Sequence, residues 1–339
     1  MRICFITPYH MNPKAPRIEK EMNILKEEKF VSKVSIIHPK KEQSIFARNM
    51  YLQKELKRQI DLYDKFIIYD LLTLFFLLPI IYNKKEKVIY EILDSFPYYY
   101  SYKLFKNKLL YNLSVLVIKK LESFLINKFT NNVIVNSQIL YKRISTYSKD
   151  AVFIPYTSPF ENKDFYNNPL NKICFLYIGL FTEDKGAMQI LELSKKNIDI
   201  IFFIIGDINY SFNLDEYPNI ITKGRINSND LLIELKEISK KYFIYGISLI
   251  RSKNYSYAIQ EANKDIDYLS LGIPIIGNKR KATYEKILNG AGILLEDFKI
   301  DEIAEMKNKQ LSNRALEIYK QFYSNSLFKQ ELIDVVKKK

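Results

Sequence analysis

Glu261–Leu295, EANKDIDYLSLGIPIIGNKRKATYEKILNGAGILL, is the stretch whose pattern sets the fold. Helical spacing begins near Asn263 or Lys264 and stops at Gly272, and the apolar run Ile273 to Ile276 that follows reads as a short buried strand. A second helix is expected over Ala282 to Leu288 and a second strand over Ile293 to Leu295, with glycine and proline marking the joints. Such alternation builds an α/β layer of parallel strands. Asp267 stands on the helix that runs into Leu271-Gly272-Ile273-Pro274, where a carboxylate can meet a ligand at the strand ends, the usual binding edge of these sheets. A solvated helix carboxylate is the plainer alternative.

Working outward, 339 residues suit two domains, and an apolar content of 47% lets each bury a core. The two cysteines, Cys4 and Cys174, both fall in expected buried strands, so a disulfide framework or cysteine metal cluster is excluded and a reducing cytoplasm fits. Those strands resemble each other, RICFI against KICFL, as if each opened a domain of its own. The start, MRICFITP, reads as a first strand rather than a secretory leader. The most apolar region, Phe66 to Tyr82, is broken by Asp70 and Pro79 and falls short of the roughly 20 residues of a membrane span; it reads as a strand followed by a buried helix.

Charge and glycine are skewed in opposite directions. Residues 1–157 carry 26 Lys and Arg against 14 Asp and Glu, a net +12 out of +14 for the chain, so a basic partner surface belongs to the first half. All nine glycines lie between Gly179 and Gly292, which concentrates in the second half the close backbone approach that phosphates require.

In chain order, strand Ile3 to Thr7 leads through a Pro/Asn loop holding His10 into a helix from about Pro16 to Lys29, with Arg17 in its first turn. Strands are expected at Val34 to His38, Phe66 to Tyr69 and Val88 to Leu93, with helices between them. Asp94 follows the third of these strands, so its carboxylate points toward a ligand edge or caps the next helix. One long helix is expected from Ser101 to Lys128, its lysines beside Tyr and Phe suiting either an anionic membrane surface or an ordinary solvated face. Residues 156–169 read as a linker. Beyond it, strand Ile173 to Ile178 meets Gly179-Leu180-Phe181-Thr182-Glu183-Asp184-Lys185-Gly186, strand Ile201 to Ile205 meets Gly206-Asp207, a helix is capped by Ser228, and strand Tyr242 to Ile250 meets Arg251-Ser252-Lys253.

The segment NKDIDYLSLGIPII, with a Lys, an acid, Tyr-Leu and Gly-x-Pro in that order, resembles the nucleotide-sugar donor motif of GT-B glycosyltransferases of the retaining family 4 type. Gly179 to Gly186 resembles that family's Gly-Arg-x-x-x-x-Lys-Gly phosphate loop, with Lys185 in place and Leu180 where the Arg stands; Arg225, Arg251 or Lys253 could supply the missing cation. Gly206 matches the glycine that closes the family's next strand. VIYEILDSFP resembles the segment near the donor sugar or reaction centre, with Leu93 where a His is often found. Ile259 stands eight residues before Asp267, where the family often has a Glu, and Gln260 or Glu261 could act for it.

The resemblance implies two doubly wound Rossmann-like domains facing across a cleft: an acceptor domain over residues 1–157, a donor domain over 158–320, and a C-terminal helix, 321–339, that packs back on the first. It implies a hexosyltransferase-like enzyme that retains configuration and takes a nucleotide sugar as substrate, with no cofactor and no metal. Lys185 would hold the diphosphate with Gly179, Gly206, Arg251 and Lys253; Asp267 would hold the ribose; Asp94, with Glu91 second, would sit at the reaction centre; and His10 and Arg17 would line the acceptor side, the plainer alternatives being an ordinary loop residue for His10 and a solvated first-turn residue for Arg17. Asp265-Ile266-Asp267 has the Asp-x-Asp form of metal-dependent transferases, but its helical setting argues against that use, and two histidines give little to hold a metal. The charge asymmetry points to a glycan or lipid-linked acceptor of surface polysaccharide synthesis, met by a cytoplasmic protein peripheral to the inner face of the membrane. Leu180, Leu93 and Ile259 leave open a catalytically silent subunit of the same fold. A nucleic-acid binder is set aside because the basic residues follow α/β helices and form no compact reading module.

Overall fold

The computed structural model describes residues 1–9, 16–40, 44–161, 163–250, 259–299 and 305–338. His10, Arg251 and Lys253 lie outside them. The chain forms two compact units, residues 1–155 with 326–339, and residues 156–325.

The first unit is a parallel sheet of β1 (Arg2–Ile6), β2 (Lys33–Ile37), β3 (Lys65–Tyr69), β4 (Val88–Ile92), β5 (Asn132–Val135) and β6 (Ala151–Phe153), ordered β2-β1-β3-β4-β5-β6. Runs such as KFIIY and VIYEI are buried at every position, as strands covered on both faces must be. Its helices are α1 (Pro16–Glu27), α2 (Ile45–Gln59), α3 (Leu71–Ile81), α4 (Phe96–Leu104), α5 (Lys108–Phe129) and α6 (Gln138–Ile144).

The second unit orders its strands β12-β11-β10-β7-β8-β9, from β7 (Lys172–Ile178), β8 (Ile201–Ile205), β9 (Ile220–Lys223), β10 (Tyr242–Ser248), β11 (Ile275–Gly277) and β12 (Gly292–Leu294). Its helices are α7 (Ala187–Lys196), α8 (Ser228–Ser239), α9 (Asn263–Ser270), α10 (Lys281–Lys286) and α11 (Glu305–Phe322). The last helix, α12 (Asn325–Lys337), buries Phe328, Leu332, Val335 and Val336 in the core of the first unit, against Ile3, Phe5 and Ile67. No helix among the described residues is long and apolar enough to cross a membrane.

Several expected boundaries move for local reasons. The long helix expected from Ser101 to Lys128 is two: Asn107 interrupts it and caps α5, its side chain accepting from the Leu109 and Leu110 amides. Asn227 rather than Ser228 caps α8, accepting from Asn229 and Asp230. Strand β11 begins after Pro274, which has no N–H to give the ladder and serves it only through its carbonyl, bonded to the Gly246 amide. Gly272 does end α9: at φ +62° it lets the Ile273 amide reach Tyr268 O and its own amide reach Leu269 O, a Schellman closure.

Candidate functional site

Open parallel sheets bind ligands outside the carboxyl ends of their strands, where the strand order reverses direction. In the second unit that point lies between β7 and β10. Two glycines shape it. At Gly206, φ +141°, a Cβ would stand 2.3 Å from Gly179 O, so the ends of β7 and β8 converge only without a side chain there. At Gly186, φ +92°, a Cβ would stand 2.3 Å from Leu249 O, which brings the turn before α7 against the end of β10. Lys185 lies in that turn, and the helix begins with no side-chain cap. Free amides at a helix start favour an anion.

Helix α9 closes the other side. Tyr268 Oη donates to Leu176 O at 3.0 Å and accepts from the Ile178 amide at 3.1 Å, fixing the helix to β7. Its ring lies where a Cβ on Gly246 would stand 2.3 Å away, so β10 carries glycine at that position. Asp265 anchors the helix start: its Oδ2 accepts from Arg280 at 3.1 Å and from the Thr283 hydroxyl at 2.8 Å, and Arg280, beside it, holds the carboxylate below its usual range despite burial. Glu261 forms a buried ion pair with Lys286.

Lys264 and Asp267, three apart, lie on one face of the same helix. The Lys264 ammonium is buried, has no hydrogen-bond partner among the described residues, and sits 3.7 Å from the centroid of the Tyr177 ring. Burial pushes its pKa down to about 7, and the charges of Arg280 and Lys185 push the same way. Asp267 accepts from Tyr156 Oη at 3.5 Å and from Ser158, yet burial raises its carboxyl to about 7. Asp265 and Asp267 thus engage different partners and do not converge as an Asp-x-Asp pair. Leu180, where the resemblance expects an Arg, is exposed, and Arg225 is exposed and pairs with Asp207 at 3.9 Å.

The first unit reverses its order between β1 and β3, and there lies a cavity of about 290 Å³, at the small end for a ligand site. Its polar lining includes Arg48, Asp70, Glu91 and Asp94, and its aromatic wall includes Tyr9, Phe96, Tyr99 and Tyr100. Among the described residues Asp70 is the non-glycine with positive φ, +74°, a strained backbone held where the carboxylate caps α3 through the Leu72 amide. Burial raises its pKa, and Asp94 adds to that shift. Arg48 Nε is buried without a hydrogen-bond partner among the described residues. Asp94 is exposed at the rim, and Ser95, not Asp94, occupies the cap position of α4.

Arg17 and Glu91 are brought together. Arg17 donates Nε–H to Glu91 and also bonds Ile154 O at 2.9 Å and Pro155 O at 3.2 Å, with Glu21 at 3.0 Å. Both carboxylates are fully buried. Burial and the neighbouring Glu91 charge hold the Glu21 carboxyl well above its usual range, with Tyr69 donating to it. The Arg17 guanidinium therefore serves two carboxylates and two carbonyls, with Glu91 also on the cavity lining.

Lys264, Arg48 and Asp70 are not among the residues to which the sequence assigns a role. For Asp70 a signal existed, since it follows an apolar strand as Asp94 does. For Lys264 the motif held the residue, but burial of its ammonium depends on Tyr177, far away in sequence.

No protein-family model matches the chain, and no curated protein matches it in sequence. Solved structures do resemble it. Sucrose-phosphate synthase from Thermosynechococcus elongatus superposes with a TM-score of 0.70 at 12% identity, covering 99% of this chain and 98% of that one. Anabaena HepE in complex with UDP gives 0.64 at 13% identity, covering 99% of each. A protein assigned as a UDP-N-acetylglucosamine 2-epimerase from Listeria monocytogenes gives 0.55 at 12% identity, covering 99% and 96%. With two six-stranded parallel sheets matched over nearly its whole length, the chain has the GT-B fold.

Proposed function

We propose that the chain is a glycosyltransferase of the retaining family 4 type that takes a nucleotide sugar on its second unit and passes the sugar to a glycan or lipid-linked acceptor held by the first. The observation that carries this reading is the buried ammonium of Lys264, without a hydrogen-bond partner among the described residues, set with Lys185 near the uncapped start of α7 at the switch point of the second sheet. A diphosphate answers all of these at once. As the leaving group departs its charge grows, and cations already in place stabilise that charge more than the ground state. Asp267, with a carboxyl near 7, can accept from a ribose hydroxyl as the anion or donate to one as the acid. Gly179 and Gly206 keep the strand ends open to the phosphates, with Arg251 and Lys253 as further cations.

Asp94 at the rim of the first unit's cavity is the proposed reaction-centre residue, with Glu91 in support; His10 belongs to the acceptor side, and Arg17, its guanidinium buried on Glu91, Glu21 and two carbonyls, serves that side by holding Glu91 in place. No step here requires a metal or another cofactor. The acceptor is proposed to be a growing surface polysaccharide, with the enzyme in the cytoplasm at the inner membrane face. HepE carries UDP in its structure, so UDP is the first nucleotide to try.

Thermal unfolding with UDP, GDP, ADP and CMP tests the donor site, because a ligand at a hundred times its Kd stabilises by about 2.7 kcal/mol. One nucleotide is expected to raise the midpoint, and Lys185→Ala and Asp267→Ala to abolish the rise. The same fold also serves a protein assigned as an epimerase, so sugar transfer must be measured directly with the donor so identified. Leu180, Leu93 and Ile259, apolar where polar residues were expected, favour a silent subunit as the second reading. Absence of both nucleotide binding and transfer would select it.

A further inference from the structure

Helix α5 carries an apolar face that the first unit leaves uncovered. Leu109, Leu113, Leu116, Val117, Leu121 and Phe124 recur at helical spacing and are 40% to 76% exposed, while Val115, Leu125, Ile126 and Phe129 on the other side are buried. Single exposed leucines are ordinary, but a contiguous stripe along a helix about 33 Å long marks an interaction surface.

Charge decides what covers it. Between residues 96 and 131 the sequence has lysines at 103, 106, 108, 119, 120 and 128, and Glu122 is its one acidic residue. The Glu122 carboxylate is buried and paired with Arg143, so the exposed side of this segment carries positive charge alone. A second copy laid against the face would set lysine against lysine. Lys120 shares the helical phase of the apolar stripe, and Lys108 and Lys128 stand near its ends; stems of this length can lie along an apolar surface while the ammonium reaches its edge. Tyr82 extends the patch, exposed at the end of α3 with the Lys128 ammonium 5.6 Å from its ring centroid.

We propose that α5 lies in the headgroup region of an anionic bilayer, its Leu109-to-Phe124 face among the acyl chains and its lysines on lipid phosphates. Apolar burial and electrostatic attraction are the two signals that together hold an interfacial helix. The surface stands on its own observations and rests on the glycosyl-transfer reading only for its purpose, which is to bring the enzyme to a lipid-carried acceptor.

The full chain is to be floated with phosphatidylcholine vesicles, with and without phosphatidylglycerol, at low and high salt. The expected result is binding to the phosphatidylglycerol vesicles, weakened by salt. Leu113→Ser/Leu116→Ser/Val117→Ser should lower it at least tenfold, and each of Lys108→Gln and Lys120→Gln by about fivefold. The chain has no tryptophan, so Leu116→Trp supplies a single indole, excited selectively beyond the tyrosine absorption, whose emission should shift to the blue on those vesicles. Wild-type protein that stays off phosphatidylglycerol vesicles, or a Leu116→Trp emission unchanged on bound protein, overturns the proposal. So does a lipid-free dimer that the triple serine variant dissociates, which would give the face to a second copy. Nucleotide binding measured on the same preparations separates failure of this surface from failure of the donor site.

Discussion

Lys264 and Asp267 sit three residues apart with pKa values both near 7, reached from opposite directions by the same cause, burial. Their pH effects on stability therefore fall in different windows. Asp267 is raised from 3.8, so the folded second unit holds a proton that the unfolded chain releases; its contribution is fully present below about pH 4 and is lost as pH rises through 7. Lys264 is lowered from 10.5, so the unfolded chain holds the extra proton, and the second unit gains stability as pH rises from about 7 to about 10.5. Asp267→Asn should flatten the acid-side slope, which at about 1.4 kcal/mol per pKa unit amounts to a few kcal/mol at most, and should leave the alkaline slope in place. Denaturant unfolding of the second unit from pH 4 to 10 reads both slopes, and an acid-side slope unchanged in Asp267→Asn would contradict the assignment. The sequence pointed to Asp267 because an acid entering a Gly-x-Pro turn is a local pattern. It gave no pointer to the Lys264 pKa, which burial lowers, with the charges of Arg280 before α10 and of Lys185 pushing the same way against Asp265.

At the level of elements, docking of α9 on the sheet depends on Tyr268 lying across β10 at Gly246. Gly246→Ala places a methyl 2.3 Å from the Tyr268 ring, and either the strand or the helix must shift. Overpacking of this kind costs about 1 to 3 kcal/mol, so a lower melting midpoint is expected, together with weakened nucleotide affinity because Lys264 and Asp267 ride on the displaced helix. Lost stability with unaltered affinity would show that α9 keeps its place by other contacts. Strands and most helices were legible because apolar runs and turn residues act locally, and Ile201–Ile205 emerges with the limits expected. The long helix expected from Ser101 to Lys128 failed for an equally local reason. Its apolar and basic periodicity continues across residues 105–107, but Asn107 satisfies two amides with its side chain and starts a new helix.

On the scale of the whole chain, two parallel sheets of different strand order each offer a switch point, with Asp70, Glu91 and Asp94 around the cavity of the first. A Rossmann-like alternation was readable, but which strands flank the reversal was not, because strand order is set by pairing between distant segments. That is why Arg48, on α2, was not associated with Asp70 and Asp94 around one cavity. The last helix belongs energetically to the first unit: burying Phe328, Leu332, Val335 and Val336 at about 1.5 to 3 kcal/mol each rivals the stability of an ordinary domain. A chain ending at Asn325 should lose cooperative unfolding of the first unit while the second still binds nucleotide, and limited proteolysis with calorimetry would show it. Two intact transitions in that shortened chain would mean that the helix is dispensable. Whether a diphosphate meets Lys264 is read by calorimetric titration of UDP at about pH 8, in buffers of different ionisation enthalpy. Uptake approaching one proton is expected as the bound diphosphate restores the Lys264 charge, and for Lys264→Met no uptake and an affinity lower by about tenfold to a hundredfold. UDP binding with no proton uptake, or equal affinity in Lys264→Met, would contradict it.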